Sequence, residues 1–131
     1  MKTSALKILL VEDDDLISQL MVQVFELNKF DADYAADSST ALRLAEQNFY
    51  NLAILDINLG NENGFDLIAR LKQHLPDMEV ITMTGDDPQS IEAKIRDMDV
   101  LYHLAKPFTI QELISVLTHS ATKLQQLAQG T

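Results

Sequence analysis

The stretch that decides the fold is Lys7-Ile-Leu-Leu-Val-Glu-Asp13, an apolar run that ends in two acids. Two further apolar runs have the same form: residues 52–55 end in Asp56, and residues 100–105 end in Lys106. A short, continuously apolar run is typical of a strand buried on both faces. Because parallel strands end at one edge of a sheet, where open α/β sheets bind their ligands, we expect the charged groups to meet there.

Strand-like and helix-like segments alternate along the chain. The alternation predicts a doubly wound five-stranded parallel sheet of the α/β class, covered by helices on both faces, because right-handed crossovers place them there. Its 131 residues fit one domain, with a core over about 6–120 and residues 121–131 as a tail or the start of a linker. The predicted strands are 7–11, 31–35, 52–56, 79–84 and 100–105, and the predicted helices are 15–28, 38–47, one between Gly64 and Pro76, 88–98 and 109–124.

Composition excludes several classes of function. The net charge is −10, so the domain has no basic stripe with which to bind nucleic acid. It has no cysteine, which rules out disulfides and thiolate chemistry and fits a cytoplasmic protein. The N-terminus reaches a strand too quickly for a signal peptide, and no apolar run approaches the roughly 20 residues of a membrane span.

Acids crowded at one sheet edge repel each other. Two like charges about 4 Å apart at an effective dielectric of about 20 cost roughly 4 kcal/mol. A divalent cation removes that cost, and a site built only from oxygen atoms suits Mg²⁺, with Mn²⁺ as the alternative. The residue pattern therefore predicts a metal site at the ends of the first and third strands.

These residues resemble the receiver domain of two-component response regulators, a chemotaxis-receiver-like family. The resemblance covers roughly residues 6–120 and implies a (βα)5 flavodoxin-like fold with strand order 2-1-3-4-5. Its landmarks, in chain order, are Ile8-Leu-Leu-Val-Glu12-Asp13-Asp14, Leu55-Asp56-Ile-Asn-Leu59, Gly64, Ile81-Thr-Met-Thr84-Gly85 and Ala105-Lys106-Pro107-Phe108.

The resemblance implies a phosphoacceptor and a metal-binding set. Asp56 would accept a phosphoryl group from the phosphohistidine of a sensor histidine kinase or a phosphotransfer protein. Asp13, Asp56 and the backbone carbonyl of Asn58 would bind Mg²⁺ directly, and Glu12 would act through a water molecule. The metal would orient the attack and neutralise charge.

The resemblance also implies residues that sense the phosphoryl group. Lys106 would supply a fixed positive charge, and Thr84 would supply a hydroxyl that reaches the group after modification. Gly85 would keep the backbone clear of the phosphate. His103 stands where many receivers carry an aromatic residue, and the Lys106–Pro107 bond is a candidate for the cis form.

Phosphorylation would then control a surface. In this interpretation the domain is a switch rather than an enzyme, and the change spreads to the face made by 88–98, 100–105 and 109–124. Its target would be an output domain, a downstream protein or a second copy of the chain. Asn58 and Asp86 would steer the water that removes the phosphate, and we expect this to tune the lifetime of the phosphorylated state.

Each of these residues has a plainer interpretation. Glu12 and Asp13 could cap the first helix, although Asp14 or Asp15 is better placed to do so. Lys106 could be a solvated lysine at a strand end, Thr84 a strand or cap threonine, and His103 a partly exposed strand histidine. A coiled coil of two copies could also continue the last helix through Ile110, Leu117 and Leu124, although Ser120 breaks that seam.

Three other functions compete with the switch. A phosphohydrolase of the haloacid dehalogenase type also uses a strand-end aspartate and Mg²⁺, but it needs a second acid where this chain has Asn58. A flavodoxin-like cofactor module needs a Gly- or Ser/Thr-rich phosphate loop, whereas the acids over 12–15 would repel a phosphate. A receiver-like interaction module that is never phosphorylated would not need the full set of site residues.

Overall fold

Seven strands and five helices make up the part of the chain that the computed structural model describes, residues 6–85 and 88–129. Asp86, one of the two residues predicted to tune phosphate loss, lies outside this part. The elements are β1 (Lys7–Val11), α1 (Asp15–Leu27), β2 (Asp31–Ala35), α2 (Ser38–Gln47), β3 (Leu52–Asp56), β4 (Asn58–Leu59), β5 (Glu62–Asn63), α3 (Gly64–His74), β6 (Glu79–Thr84), α4 (Pro88–Asp97), β7 (Tyr102–Ala105) and α5 (Ile110–Gln129).

The main sheet has five parallel strands in the order β2-β1-β3-β6-β7. This is the predicted order 2-1-3-4-5 once the short β4 and β5 are left out of the numbering. The register pairs Val11 with Leu55 and Asp56 with Met83, so β1, β3 and β6 end close to one another. The parallel register therefore brings the acids after β1 and at the end of β3 to one edge.

Two apolar layers hold the helices against the sheet. Alternate strand residues point to opposite faces, and this divides the buried side chains into two clusters. Ile8, Leu10, Ile54 and Met83 face α1 and α5, where they meet Met21, Phe25, Leu113 and Leu117. The other layer, on the side of α2 and α3, contains Leu9, Val11, Leu55, Val80, Ala41, Leu67, Ile68 and Leu71.

The largest differences from the sequence predictions are an added hairpin, a later start of the last strand and a longer last helix. The segment between β3 and α3 contains a two-stranded antiparallel hairpin, β4 and β5, which adds to the strict alternation of five strands and five helices. The last strand begins at Tyr102 rather than at residue 100, because Asp99 has a φ of 54° and turns the chain before pairing starts. Helix α5 continues past residue 124 to Gln129.

Polar side chains cap the helices where the chain enters them. Asp14 accepts a hydrogen bond from the Ile17 N–H, which confirms the cap expected for α1. Helix α2 is capped by Asp37, which accepts a hydrogen bond from the Thr40 N–H. Thr109 and Glu112 form a reciprocal capping box at the start of α5. Across the described residues, no helix is long and apolar enough to cross a membrane.

Gly64 is required by a close approach between the start of α3 and Ile57, the residue that follows β3. A Cβ atom at this position would lie 2.6 Å from the Ile57 Cα and 2.8 Å from the Ile57 carbonyl oxygen. We predict that Gly64→Ala lowers the free energy of unfolding by about 1–3 kcal/mol, because the backbone has to shift to admit the methyl group. Urea unfolding followed by circular dichroism measures the change.

The matched control is Gly85→Ala, because a Cβ there would lie 3.9 Å from the nearest atom, the Lys106 Cβ. This control should be close to the parent in stability. Equal unfolding midpoints for both variants would contradict the role given to Gly64.

Candidate functional site

Three carboxylates meet at the carboxyl edge of the sheet. One oxygen from each of Glu12, Asp13 and Asp56 lies within 4.8 Å of the others. Glu12 is fully buried and Asp56 is 5% exposed, whereas Asp13 is exposed. The sequence predicted this meeting from the ends of the first and third strands, and the structure brings all three acids together.

Lys106 lies between two of these acids. Its ammonium donates to Glu12 Oε1 at 2.7 Å and to Asp56 Oδ2 at 2.5 Å. The Lys106 backbone N–H also donates to the Thr84 carbonyl at 2.8 Å, and this bond joins the residue after β7 to the end of β6. The Lys106–Pro107 peptide bond is cis, as the resemblance suggested. The plainer interpretation of Lys106 as a solvated strand-end lysine is therefore wrong.

Burial and charge set the ionisation of this pair. Burial raises the pKa of the Glu12 carboxyl, and the bonds from Lys106 and the Asp14 N–H offset only part of that effect. Burial alone would lower the pKa of Lys106, but its bonds to Asp56 and Glu12 outweigh burial and raise that pKa above the usual value. The lysine therefore stays charged at neutral pH and serves as the fixed cation of the site.

Asn58 joins Asp56, the phosphoacceptor candidate, to Thr84. Its backbone N–H donates to Asp56 Oδ1 at 2.9 Å, and its side-chain Nδ2 donates to Thr84 Oγ1 at 3.2 Å. Thr84 is fully buried at the end of β6, while Asn58 is exposed on the hairpin. The structure therefore places the Thr84 hydroxyl at the site, and Asn58 is within hydrogen-bonding distance of it.

His103 pairs with a residue that the sequence analysis did not single out. Its Nδ1 lies 2.7 Å from the hydroxyl oxygen of Thr82, which is fully buried on β6. Among the described side chains, the buried His103 Nε2 has no hydrogen-bond partner. Tyr102 and Leu104 pack on the opposite face, as strand alternation predicted. A signal for Thr82 was present, because it stands two residues before Thr84 on the same face of the strand.

Two further hydrogen bonds hold the backbone of Glu12 against β2. The Tyr34 hydroxyl donates to the Glu12 carbonyl at 2.7 Å, and the Glu12 N–H donates to the Ala35 carbonyl at 3.1 Å. Nothing in the local sequence of β2 indicated a role for Tyr34, because the contact joins residues 22 apart. Gly85 is exposed, and a Cβ there would lie 3.9 Å from the Lys106 Cβ.

The donor set fits a hard divalent cation. Carboxylate oxygens from Glu12, Asp13 and Asp56 converge within one coordination sphere, and the nearby lysine balances only one of three negative charges. An oxygen-only set with excess negative charge suits Mg²⁺ or Mn²⁺. The geometry therefore combines a candidate metal site, a buried carboxylate and a fixed cation around Asp56.

The family is decided by comparison with known proteins. The family model described as response regulator receiver domain matches residues 8–118, which is most of the chain. This chain belongs to the response regulator receiver domain family. The receiver domain is the signalling domain of two-component response regulators, so the dehalogenase and flavodoxin-like alternatives are excluded.

Relatives of this receiver domain are regulators of transcription. It is 36% identical to the transcriptional regulatory protein BasR of Escherichia coli (strain K12) over 114 residues, which are 82% of the chain and 49% of BasR. It is 31% identical to the DNA-binding transcriptional regulator NtrC of Azospirillum brasilense over 114 residues, 87% of the chain and 24% of NtrC. The chain thus spans about half of one relative and a quarter of the other.

A solved structure confirms the fold. The receiver domain superposes on the CheY-like response regulator receiver domain protein of Methanospirillum hungatei JF-1 with a TM-score of 0.86. The two are 24% identical, and the match covers 94% of this chain and 98% of the other. The predicted flavodoxin-like receiver fold is therefore confirmed.

His103 is predicted to make stability depend on pH. Burial lowers the pKa of its imidazole in the folded domain, while the unfolded chain titrates near the usual value of about 6.5. Below about pH 6.5 the unfolded chain binds a proton that the folded domain excludes, so stability falls with falling pH. We predict that His103→Gln weakens this loss, measured as urea unfolding free energies at pH 7.5 and 5.5.

His119→Gln is the matched control, because His119 is exposed on α5. It should keep the pH dependence of the parent. Glu12, whose raised pKa acts in the opposite direction, is present in all three proteins and cancels from the comparison. The same pH dependence in His103→Gln and in the parent would contradict the prediction.

Proposed function

We propose that Asp56 accepts a phosphoryl group and that the receiver domain is thereby switched. One observation carries this proposal: the carboxylate of Asp56 is almost fully buried, yet it lies between the Lys106 ammonium and two further acids. A buried carboxylate is costly unless it is paired, and Lys106 supplies that pair. Glu12 shares the same ammonium and Asp13 lies beside both acids, so negative charge stays in excess around Asp56.

The proposed donor is the phosphohistidine of a sensor histidine kinase or of a phosphotransfer protein. An oxygen of Asp56 attacks the phosphorus, a new O–P bond forms, and the P–N bond breaks with its electron pair returning to the imidazole. The product is an acyl phosphate on Asp56. Lys106 stays within reach of the phosphoryl oxygens and stabilises the negative charge that they carry.

Glu12, Asp13, Asp56 and the Asn58 carbonyl would hold the cation in this proposal. Glu12 would act through a water molecule and the others directly. Bound Mg²⁺, or Mn²⁺ in its place, supplies charge neutralisation between the acids and the incoming phosphoryl oxygens. These three carboxylates would position the ion, since one oxygen from each lies within 4.8 Å of the others.

Thr84 and Lys106 would transmit the conformational change from the site to the surface of the domain. A phosphoryl group adds roughly −1.5 to −2 charges and three acceptor oxygens, and both residues would move to satisfy them. Their movement would alter the surface formed by α4, β7 and α5. His103 lies on β7, and its bond to Thr82 couples that strand to β6.

The target of that surface is also proposed. The chain covers only part of BasR and NtrC, whose names describe regulation of transcription, so an output domain or a downstream protein is the proposed recipient. A homodimer through the same surface is the alternative arrangement. We propose that the domain works in the cytoplasm and does not itself bind nucleic acid, because its net charge is −10.

Phosphorylation of Asp56 is tested by intact mass after incubation with acetyl phosphate and Mg²⁺. We predict one added phosphoryl group on the parent and none on Asp56→Asn, because the amide lacks the nucleophilic oxygen. Asp66→Asn, an equal change of charge at an exposed position of α3, should be modified like the parent. Modification of Asp56→Asn to the level of the parent would refute the assignment.

Metal binding is tested by replacing single acids and measuring how Mg²⁺ changes the Tm. We predict that millimolar Mg²⁺ raises the Tm of the parent, because an ion that binds only the folded state stabilises it. Asp13→Asn should lose most of this rise, since a ligand and a negative charge are both removed. Asp15→Asn, which removes the same charge from an exposed residue outside the cluster, should retain it. Equal Mg²⁺ responses from the two variants would argue against the site.

Asn58 and Asp86 are proposed to set the lifetime of the phosphorylated state. Asn58 supports this role through its position, since it contacts both Asp56 and Thr84. Decay of the phosphorylated protein after removal of acetyl phosphate, followed in Asn58→Arg and Asp86→Ala, measures the contribution of each residue. Rates equal to that of the parent in both variants would remove the proposed role.

A further inference from the structure

The side chain of Asn58 makes a contact that neither phosphoryl transfer to Asp56 nor metal binding needs. Its backbone provides the N–H on Asp56 and the carbonyl proposed for the metal, and neither depends on the side chain. The side-chain Nδ2 instead donates to Thr84 Oγ1 at 3.2 Å. The side-chain amide of Asn58 therefore contacts the Thr84 hydroxyl, which is the group proposed to respond to phosphorylation.

The chemistry of Thr84 makes this contact consequential. A phosphoryl oxygen only accepts hydrogen bonds, so the threonine has to turn its O–H toward that oxygen. Threonine is β-branched and occupies a small number of χ1 rotamers, so its hydroxyl changes position in discrete steps. The amide of Asn58 favours whichever rotamer keeps Oγ1 within its reach, and leaving that rotamer breaks the bond.

We infer that the Asn58 side chain is a positioning residue that restrains Thr84 in the resting rotamer. When Thr84 moves toward the phosphoryl group, as proposed above, Oγ1 leaves the reach of the Asn58 amide, and the hydrogen bond that Oγ1 accepts from Nδ2 is lost. This inference rests on the proposed function, because it assumes that Thr84 responds to a group on Asp56. Residue 58 would then help to set the fraction of the unphosphorylated protein in which Thr84 occupies the resting rotamer.

The size of the effect follows from the strength of one hydrogen bond. A bond of this kind shifts an equilibrium by about two- to tenfold. Removing it should therefore move the balance between resting and switched Thr84 by about that factor. A ligand that binds only the switched form should gain affinity by the same factor, since its apparent dissociation constant includes the cost of reaching that form.

The first experiment measures binding of beryllofluoride, a phosphoryl mimic, to the full chain in the presence of Mg²⁺. We expect Asn58→Ala to bind it about two- to tenfold more tightly than the parent. Asn61→Ala is the matched control, because Asn61 is an exposed asparagine in the same hairpin, and it should bind like the parent. Unchanged or weaker binding by Asn58→Ala would overturn the inference.

A double-mutant cycle shows whether the effect passes through Thr84. Thr84→Val keeps the branched shape but removes the hydroxyl, so Asn58→Ala should have no effect on beryllofluoride affinity in that background. A merely structural role of Asn58 would give the same gain in both backgrounds, and that result would overturn the inference. Urea unfolding confirms that each variant is folded before the affinities are compared.

A spectroscopic signature gives a second, independent measurement. The methyl resonance of Thr84 is recorded in the resting parent and in the beryllofluoride complex, which define the two end points. In Asn58→Ala without beryllofluoride, the resonance should move toward the position of the complex. A resonance that stays at the resting position would contradict the restraint.

Failure of the proposed function is distinguishable from failure of this inference. If the parent and Asp56→Asn respond to beryllofluoride alike, then Asp56 is not the site and the proposed function is refuted. If the parent binds, Asp56→Asn does not, and Asn58→Ala shows no gain, then the proposed function stands and the restraint on Thr84 is refuted.

Discussion

The ion pair between Lys106 and the buried acids is the interaction on which the rest of the structure depends. Three carboxylates share one sheet edge with one ammonium, so negative charge remains in excess around Asp56. Burial makes this excess costly, as the raised pKa of Glu12 indicates. A cation at the acids and a phosphoryl group near the lysine would each change that balance. The site is thus sensitive to the two species that the proposed reaction requires.

Two hydrogen bonds connect this charged centre to the strands that lead away from it. Asn58 bonds to Thr84 from the hairpin, and His103 bonds to Thr82 from β7. Both threonines are fully buried on one face of β6. A change at Asp56 that moves Thr84 therefore acts on a strand whose neighbouring position is already paired with β7. This arrangement offers a short physical connection between the acids and the α4-β7-α5 surface.

The glycines of the loop after β3 set how closely the hairpin approaches the site. Gly60 has a φ of 59°, a left-handed conformation that permits the turn between β4 and β5. Gly64 lies so close to Ile57 that a side chain would collide with the backbone. These constraints hold Asn58 beside Asp56 and Thr84. The position of one amide is therefore determined by backbone geometry on both sides of it.

The sequence by itself determined that the strands end at one edge of the sheet, and it determined which three acids and which lysine meet at that edge. It also identified the family. The acids, the lysine and the edge that they share follow from residue type and from the apolar runs, which are local properties, whereas the strand order and the family followed from the resemblance of the motifs to receiver domains. Tertiary structure alone decided the bonds from Asn58 to Thr84 and from His103 to Thr82, the β4–β5 hairpin and the contact of Tyr34 with Glu12. The bonding partners are 21 to 26 residues apart in the chain, and sub-ångström packing selects them from several polar groups within reach. No local pattern in the sequence encodes that choice.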